Sequence, residues 1–457
     1  MTPPRSAGRS GTPESWSPYE PTSEAPWDLR RVVHLHRRAG FAATWAELQR
    51  DLDDGPEASV ARVLSGTSRL GGVPEEFEAT SGLLADAAVA SGDVNRLRAW
   101  WLFRMLGSPD PLGERLTLMW HGHFASSNSK VQDLALMRAQ NETFRRLARA
   151  PFGELLGRAA REPALLLDLD APSNRADHPN ENLAREVMEL FTLGAGNSTE
   201  ADVKEAARAL TGWRVVEGRF DESPSKHDGG EKTILGRKGR WTGSDLLAIL
   251  LEHPATARRI ASRLCGLLMG EGGVDPAAID ALAGLLRADG LDVGRAVATV
   301  LRSRAFFAPG NLRSRVVGPA ELVVGACRAL VPPGSSPSTL VLADWVGRLG
   351  QDLFEPPNVG GWPEGRSWLT ARSLVARANF AAALVDGKAV GLPEPLDARA
   401  LAAAQGRGAS AGDVRAAAAA LLLGLEVEDR SPPGDESPDA ARRALATVLA
   451  SPPAQIG

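Results

Sequence analysis

From Asp28 onward one periodicity dominates the chain: apolar residues recur every three or four positions over segments of roughly 10 to 20 residues, each closed by Gly, Pro or Asp. Alternating strand patterns are scarce, so the apolar residues can be buried only by packing helix on helix. The expectation is an all-α, multi-helix globular assembly with two irregular motif-bearing loops and at most a small β-hairpin. Val94 to Leu106 and Pro111 to Trp120 are too apolar for surface helices and belong in the core. Thr44 with Glu47, and Thr199 with Asp202, predict capped helix starts, because the hydroxyl accepts from the backbone N–H three residues on while the carboxylate reaches back. The helical pattern fails over 214–243 and 355–367, where Gly, Pro and Ser come at short intervals.

The same reading divides the chain. Residues 1–26, rich in Pro, Ser, Gly and Glu, offer too little apolar surface to offset ordering and are expected to form a disordered arm. Residues 27–380 are expected to form the helical domain. Residues 381–457 are expected to form an alanine-rich helical tail, interrupted by a Pro, Asp and Ser linker near 428–439.

Composition then removes several classes of function. With 52 basic against 56 acidic residues there is no global positive charge to hold a nucleic-acid backbone. Two cysteines cannot build a disulfide scaffold or an all-cysteine zinc site. No stretch approaches the run of about 18 apolar residues that spans a membrane. Met1 to Leu29 also lacks the apolar run of about seven residues that an export signal needs, so a cytoplasmic location is expected. There is no GxxxxGK[ST], no GxGxxG between a strand and a helix, and no GxSxG elbow.

The polar minority is unevenly placed. Five of six lysines and six of ten asparagines fall between 128 and 238, in a chain that otherwise uses 46 arginines for its positive charge. Specific side-chain chemistry is the usual reason for such a local return to Lys, Asn and His. Within Trp120-His121-Gly122-His123, an extended or turning segment lets both imidazoles point one way, and neutral imidazole suits a divalent metal. The bland alternative is that one histidine caps helix carbonyls and the other is a hydrogen-bonded core residue.

Along the next helix, Asn182, Arg185, Glu186 and Glu189 form one polar stripe at i, i+3, i+4 and i+7, with His178, Asn180 and Glu181 at its head. Such a stripe suits either solvent or a buried polar site. If it is buried, Glu186 and Glu189 need cations, supplied by arginine, lysine or a metal. The candidate catalytic groups are therefore His121, His123, His178, Glu181, Arg185, Glu186 and Glu189. The candidate metal set is His121, His123 and Glu186, holding one divalent ion. Candidate ligand contacts near the stripe are Asn128, Lys130, Asn180, Asn182 and Arg208. The two glycine-bearing loops add His227, Asp228, Asn358 and Trp362.

Five segments together carry a family resemblance: HLHRRAGFAAT (34–44), LTLMWHGHFASSNSKV (116–131), HPNENLAREVMELFTLGAGNSTEADVKEAARALTGW (178–213), HDGGEKTILG (227–236) and PPNVGGWPEGRSWL (356–369). They resemble the bacterial DUF1800 family, a domain of unknown function. The resemblance implies a mostly helical fold and a partner similar to the alkaline-phosphatase superfamily, often encoded beside it. Many members carry an export signal, which this chain's beginning lacks. No reaction comes with the resemblance. Two functional readings follow from the residues: an enzyme with a buried polar, metal-assisted His/Glu/Asn/Arg site, or a non-catalytic binding or assembly module whose Gly-rich loops dock a partner protein or glycan.

Overall fold

The computed structural model describes residues 14–70, 76–270, 273–332, 334–427 and 436–457. Among these, 21 α-helices carry the chain, and named strands are confined to two antiparallel hairpins. The fold is all-α as expected, with two small hairpins in place of one. Trp213–Val216 pairs with Arg219–Glu222, and Lys232–Ile234 pairs with Arg237–Gly239. Each is closed by a two-residue turn, Glu217-Gly218 and Leu235-Gly236, with both residues at positive φ. That geometry matches the twist of the flanking strands. Leu235 is unusual at such a position, and its backbone N–H is held by Asp202 Oδ1 at 2.7 Å.

The helix Pro111–His123 is the fold's axis. Asp110 caps it, its Oδ1 accepting from Gly113 N at 2.9 Å, and Pro111 sits where its missing N–H is not needed. Every residue of this helix except Gly122 is buried. Leu116, Met119 and Trp120 enter one hydrophobic cluster while Leu118 enters a second. A helix apolar on all sides must lie inside. Its charged residues are accordingly paired: Glu114 receives Arg104 at 3.1 Å and Arg145 at 2.6 Å. Removing one partner of such a buried set leaves the other uncompensated.

Both predicted capping boxes are present, at Thr44–Glu47 and Thr199–Asp202. The alanine-rich segment is two helices, Ala398–Ala403 and Ala411–Leu423. The second packs on Leu29–Ala39, where Arg37 donates to the carbonyls of Leu422 at 3.0 Å and Ala454 at 3.1 Å. Of the arm expected over 1–26, residues 1–13 lie outside the described residues, as do 428–435 of the expected linker. Residues 14–26 differ from the expectation. Trp16 is buried with its Nε1 donating to Ala278 O at 2.8 Å, and Tyr19 N donates to Arg302 O at 2.8 Å. Two aromatic anchors tie down a stretch whose average composition is polar.

Candidate functional site

The helix Pro111–His123 extends three residues past the expected Trp120, so the His-Gly-His segment is helical and not extended. Residues two apart on an α-helix differ by about 200° of rotation. The rings therefore enter different surroundings, which corrects the expectation that they point the same way. His123 packs among Trp120, Phe124, Phe152 and Phe191, and its Nε2 lies 3.0 Å from the Phe191 carbonyl oxygen. Burial, reinforced by Arg263 and Arg259, pushes its pKa well below the usual value. The ring is thus neutral, and a carbonyl acceptor requires that Nε2 carry the proton.

His121 lies among Trp101, Phe144, Phe354 and Trp362, and neither ring nitrogen has a hydrogen-bond partner. Burial pushes its pKa down to about 4. Among the described residues no group of three or more His, Cys, Asp or Glu side chains is placed to hold a metal ion. His121, His123 and Glu186 are not assembled as a ligand set.

The polar stripe begins on the α-helix Glu181–Glu186, capped by Asn180, and continues as a π-helical turn over Val187–Thr192. Leu193 N bonds to Met188 O at 2.8 Å and Thr192 Oγ1 to Val187 O at 2.7 Å, both spanning five residues. Side chains from other helices satisfy carbonyls of that turn: His123 takes Phe191, and Arg259 takes Leu190 at 3.2 Å. Such widened turns recur at functional sites, and here the widening joins two core helices.

On its outer face, Arg185 reaches Glu181 at 3.0 Å, Glu189 at 3.3 Å and Glu200 at 2.8 Å. All four side chains are partly solvated, and His178 is exposed. Glu186 has no ion pair among the described residues; burial, then Glu189, pushes its pKa up against the pull of Arg185. Asn180 donates to Ser173 Oγ at 2.6 Å, and Asn182 donates to Asp170 at 3.3 Å. Lys130 also reaches Asp170, at 3.0 Å, and the Asp168 carbonyl. These residues pin the 168–174 turn.

The remaining loop candidates also have structural partners. Arg208 donates to Asp228 at 2.6 Å and to Glu205 at 2.9 Å, and His227 Nδ1 lies 3.0 Å from Thr211 O. They fold the 227–236 loop onto the helix Glu200–Ala209. Asn128 N donates to Phe354 O at 2.8 Å, while its side-chain Oδ1 is buried without a partner. Asn358 Oδ1 accepts from Gly360 N at 2.9 Å, shaping the turn that delivers Gly361 to the central helix. Gly361 has φ +87°, and a Cβ there would stand 2.2 Å from the Gly122 carbonyl oxygen. Trp362 follows, its Nε1 donating to Asp352 O at 3.0 Å and its ring 5.6 Å from that of His121.

Trp362 forms a wall of a cavity of about 460 Å³ between the central helix, the helix Pro254–Met269 and the 355–368 loop. Arg115, Arg263, Arg315 and Arg366 line it against only two carboxylates, Glu321 and Glu364. Glu364 pairs with Arg263 at 2.9 Å, and Glu321 takes both Arg115 and Arg315 at 2.5 Å. Burial alone would raise the Glu321 carboxyl, but Arg115 and then Arg315 hold it well below the usual range.

More positive charge lies behind the wall. Burial lowers the pKa of Arg37 and Arg377 to about 10 and that of Arg38 further, and for all three Glu321 is the only carboxylate that opposes this. Arg38 reaches Ser314 Oγ at 3.0 Å and Arg377 reaches Val317 O at 2.8 Å. A guanidinium stays protonated in proteins; of the cations Arg37, Arg38, Arg115, Arg315 and Arg377, Arg115 and Arg315 are within ion-pair distance of Glu321. Arg115 is fully buried, and although Nη1 touches Glu321, none of its three nitrogens makes an aligned hydrogen bond.

A family model described as "Protein of unknown function (DUF1800)" matches residues 34–456. The chain belongs to this family. No curated protein and no solved structure is detectably similar to it. The DUF1800 motifs do not all meet at one place. Of the ligand contacts expected from sequence, Trp362 lines the arginine cavity, whereas the polar-stripe residues and those of the 227–236 loop do not.

Sequence reasoning missed Arg115, Arg263, Arg315, Glu321 and Trp368. The available signal was a pair of adjacent arginines, Arg37 and Arg38, in the amphipathic helix Leu29–Ala39 of this DUF1800 chain, of which Arg38 is buried against the expectation for charged residues.

Proposed function

We propose that this protein is a binding protein for a small anion, taken up in the cavity beneath the 355–368 loop. One observation carries the reading: four arginines, Arg115, Arg263, Arg315 and Arg366, line the cavity against two carboxylates, Glu321 and Glu364. Desolvated charge is tolerated when it is paired, and an anion in the adjoining cavity would supply the pairing. Guanidinium is also the side chain best suited to planar, bidentate recognition of carboxylate or phosphate.

Ligand that binds only the folded state raises the melting temperature. The purified chain should therefore melt higher in phosphate or citrate than in chloride of equal ionic strength. Arg315→Met, which removes the charge of a partly exposed cavity-lining guanidinium but keeps the stem length, should abolish that rise. Equal melting temperatures in all three salts would overturn the proposal.

A further inference from the structure

The cavity wall holds N–H donors with nothing to bond, while its side-chain acceptors are already engaged. Resting on the anion-binding reading above, we infer that the ligand is a compact polyanion, two or more oxyanion groups joined in one small molecule such as a diphosphate or a tricarboxylate, received by Arg263, Gln351, Arg366 and Trp368.

The donors come from three parts of the fold. Gln351 is 6% exposed, and because its Oε1 accepts from Ala320 N at 3.0 Å, its amide NH₂ is turned the other way and has no partner among the described residues. Trp368 is equally buried, and its Nε1 also makes no hydrogen bond among them, lying 3.7 Å from where a Cβ on the cavity-lining Gly318 would stand. Neither nitrogen is sealed off from the cavity. Buried donors of this kind ordinarily have an acceptor, as Trp362 Nε1 does in Asp352 O. On the helix Pro254–Met269, Arg263 gives Nη1 to Glu364 at 2.9 Å, which leaves Nη2 for another acceptor. Arg366, on the loop, is exposed and has no ion pair among the described residues.

The side-chain acceptors are spent by comparison. Glu321 Oε1 receives Arg115 at 2.5 Å and Arg315 at 2.7 Å, and its Oε2 receives Arg315 at 2.5 Å. Ser314 Oγ receives Arg38 at 3.0 Å. A polyol or an amide must donate as well as accept, and would find few acceptors here. Carboxylate and phosphoryl oxygens only accept, and they bond guanidinium more strongly than neutral acceptors do.

Size and charge extend this to more than one oxyanion group. A tetrahedral ion has four oxygens, each filling roughly the 30 Å³ of a water molecule, so it occupies about 120 Å³ of a cavity of about 460 Å³. One such group meets part of the wall. Two linked groups can meet Arg263 and Gln351 on one side and the loop's Arg366 and Trp368 on the other. Behind the wall Arg38 and Arg377 are buried and bond only neutral groups, so the field in the cavity favours a ligand of higher charge.

The test titrates the full chain by calorimetry, at equal ionic strength, with pyrophosphate, tricarballylate, orthophosphate, acetate and the neutral polyol xylitol. Pyrophosphate or tricarballylate should bind about tenfold or more tightly than orthophosphate and acetate, the increment of one further charge-assisted contact. The tighter of the two names the group. Xylitol should not bind measurably. Arg366→Gln keeps a donor but loses the charge, and should weaken the tighter polyanion several-fold while leaving the melting temperature of the free protein nearly unchanged.

Should both polyanions bind no better than orthophosphate, the second group would be overturned and the anion-binding reading would survive. Binding of none of the four anions would overturn both. Xylitol binding as tightly as the polyanions would show that the donors serve hydroxyl oxygens and would overturn the role of charge. Unchanged polyanion affinity in Arg366→Gln would remove the loop from the site and overturn the place given to the second group. If that variant fails to fold, the five probes on the unmodified chain decide alone.

Discussion

His123 Nε2 and the carbonyl oxygen of Phe191 are joined at 3.0 Å across 68 residues of chain, inside a shell of aromatic rings. The bond ties the end of the central helix to the π-helical turn of the polar-stripe helix. His123→Phe would fill the same apolar space and leave that carbonyl without its donor. A loss of about 1–3 kcal/mol is expected, the usual penalty for an unsatisfied buried acceptor, measured by urea denaturation. A variant as stable as the parent would show that the bond contributes nothing to the fold.

His121 makes stability sensitive to acid. Its pKa is pushed from 6.5 down to about 4 by burial, so the folded state resists a proton that the unfolded chain accepts. Stability is full above pH 6.5, falls as pH drops below that value, and has lost this contribution once pH passes about 4. The shift corresponds to on the order of 3 kcal/mol. His121→Phe should flatten this part of the pH profile; an unchanged acid slope would contradict the assignment.

Glu186 and Arg185 should respond in opposite senses. The Glu186 carboxyl is half-buried without an ion pair among the described residues, and burial, then Glu189, raises its pKa. Glu186→Gln is expected to melt slightly higher than the parent at pH 7. Arg185→Ala breaks partly solvated pairs and should cost less than about 1 kcal/mol. A marked fall in melting temperature for Glu186→Gln would mean that its charge has a partner.

Gly361 is expected to be far less tolerant than Gly229. Alanine at 361 meets the Gly122 carbonyl and a left-handed φ of 87°, whereas a Cβ at Gly229 meets nothing within 4 Å. Gly361→Ala should destabilise by about 2 kcal/mol or more and weaken anion binding, since the following residue is Trp362. Gly229→Ala should behave as the parent in both measurements.

Helix periodicity made the architecture readable, because an apolar stripe every 3.6 residues reports burial directly. The ends of elements were less accessible. The helix Pro111–His123 passes through His121 and Gly122 because packing from four sides outweighs glycine's weak local preference. The turn over Val187–Thr192 has no local signature, since the carbonyls it leaves over are satisfied by His123 and Arg259, 68 and 69 residues away.

The cavity was least legible. Arg115, Arg315 and Glu321 are spread over two hundred residues, and each alone reads as an ordinary surface charge. Only the fold brings Arg115 and Arg315 together on Glu321. Asn and Lys are scarce in the chain, and their clustering marks the pinned 168–174 turn and the folded 227–236 loop.

The contact between Arg37 and the Leu422 carbonyl has a bearing on how the chain is made. Its two ends are 385 residues apart, and at about 5–20 residues per second the ribosome takes roughly 20 to 80 s to pass from one to the other. Throughout that interval the helix Leu29–Ala39 can pack on Trp45–Ser65, Pro111–His123 and Pro254–Met269, but the face that meets Ala411–Leu423 stays uncovered until the last part of the chain is made.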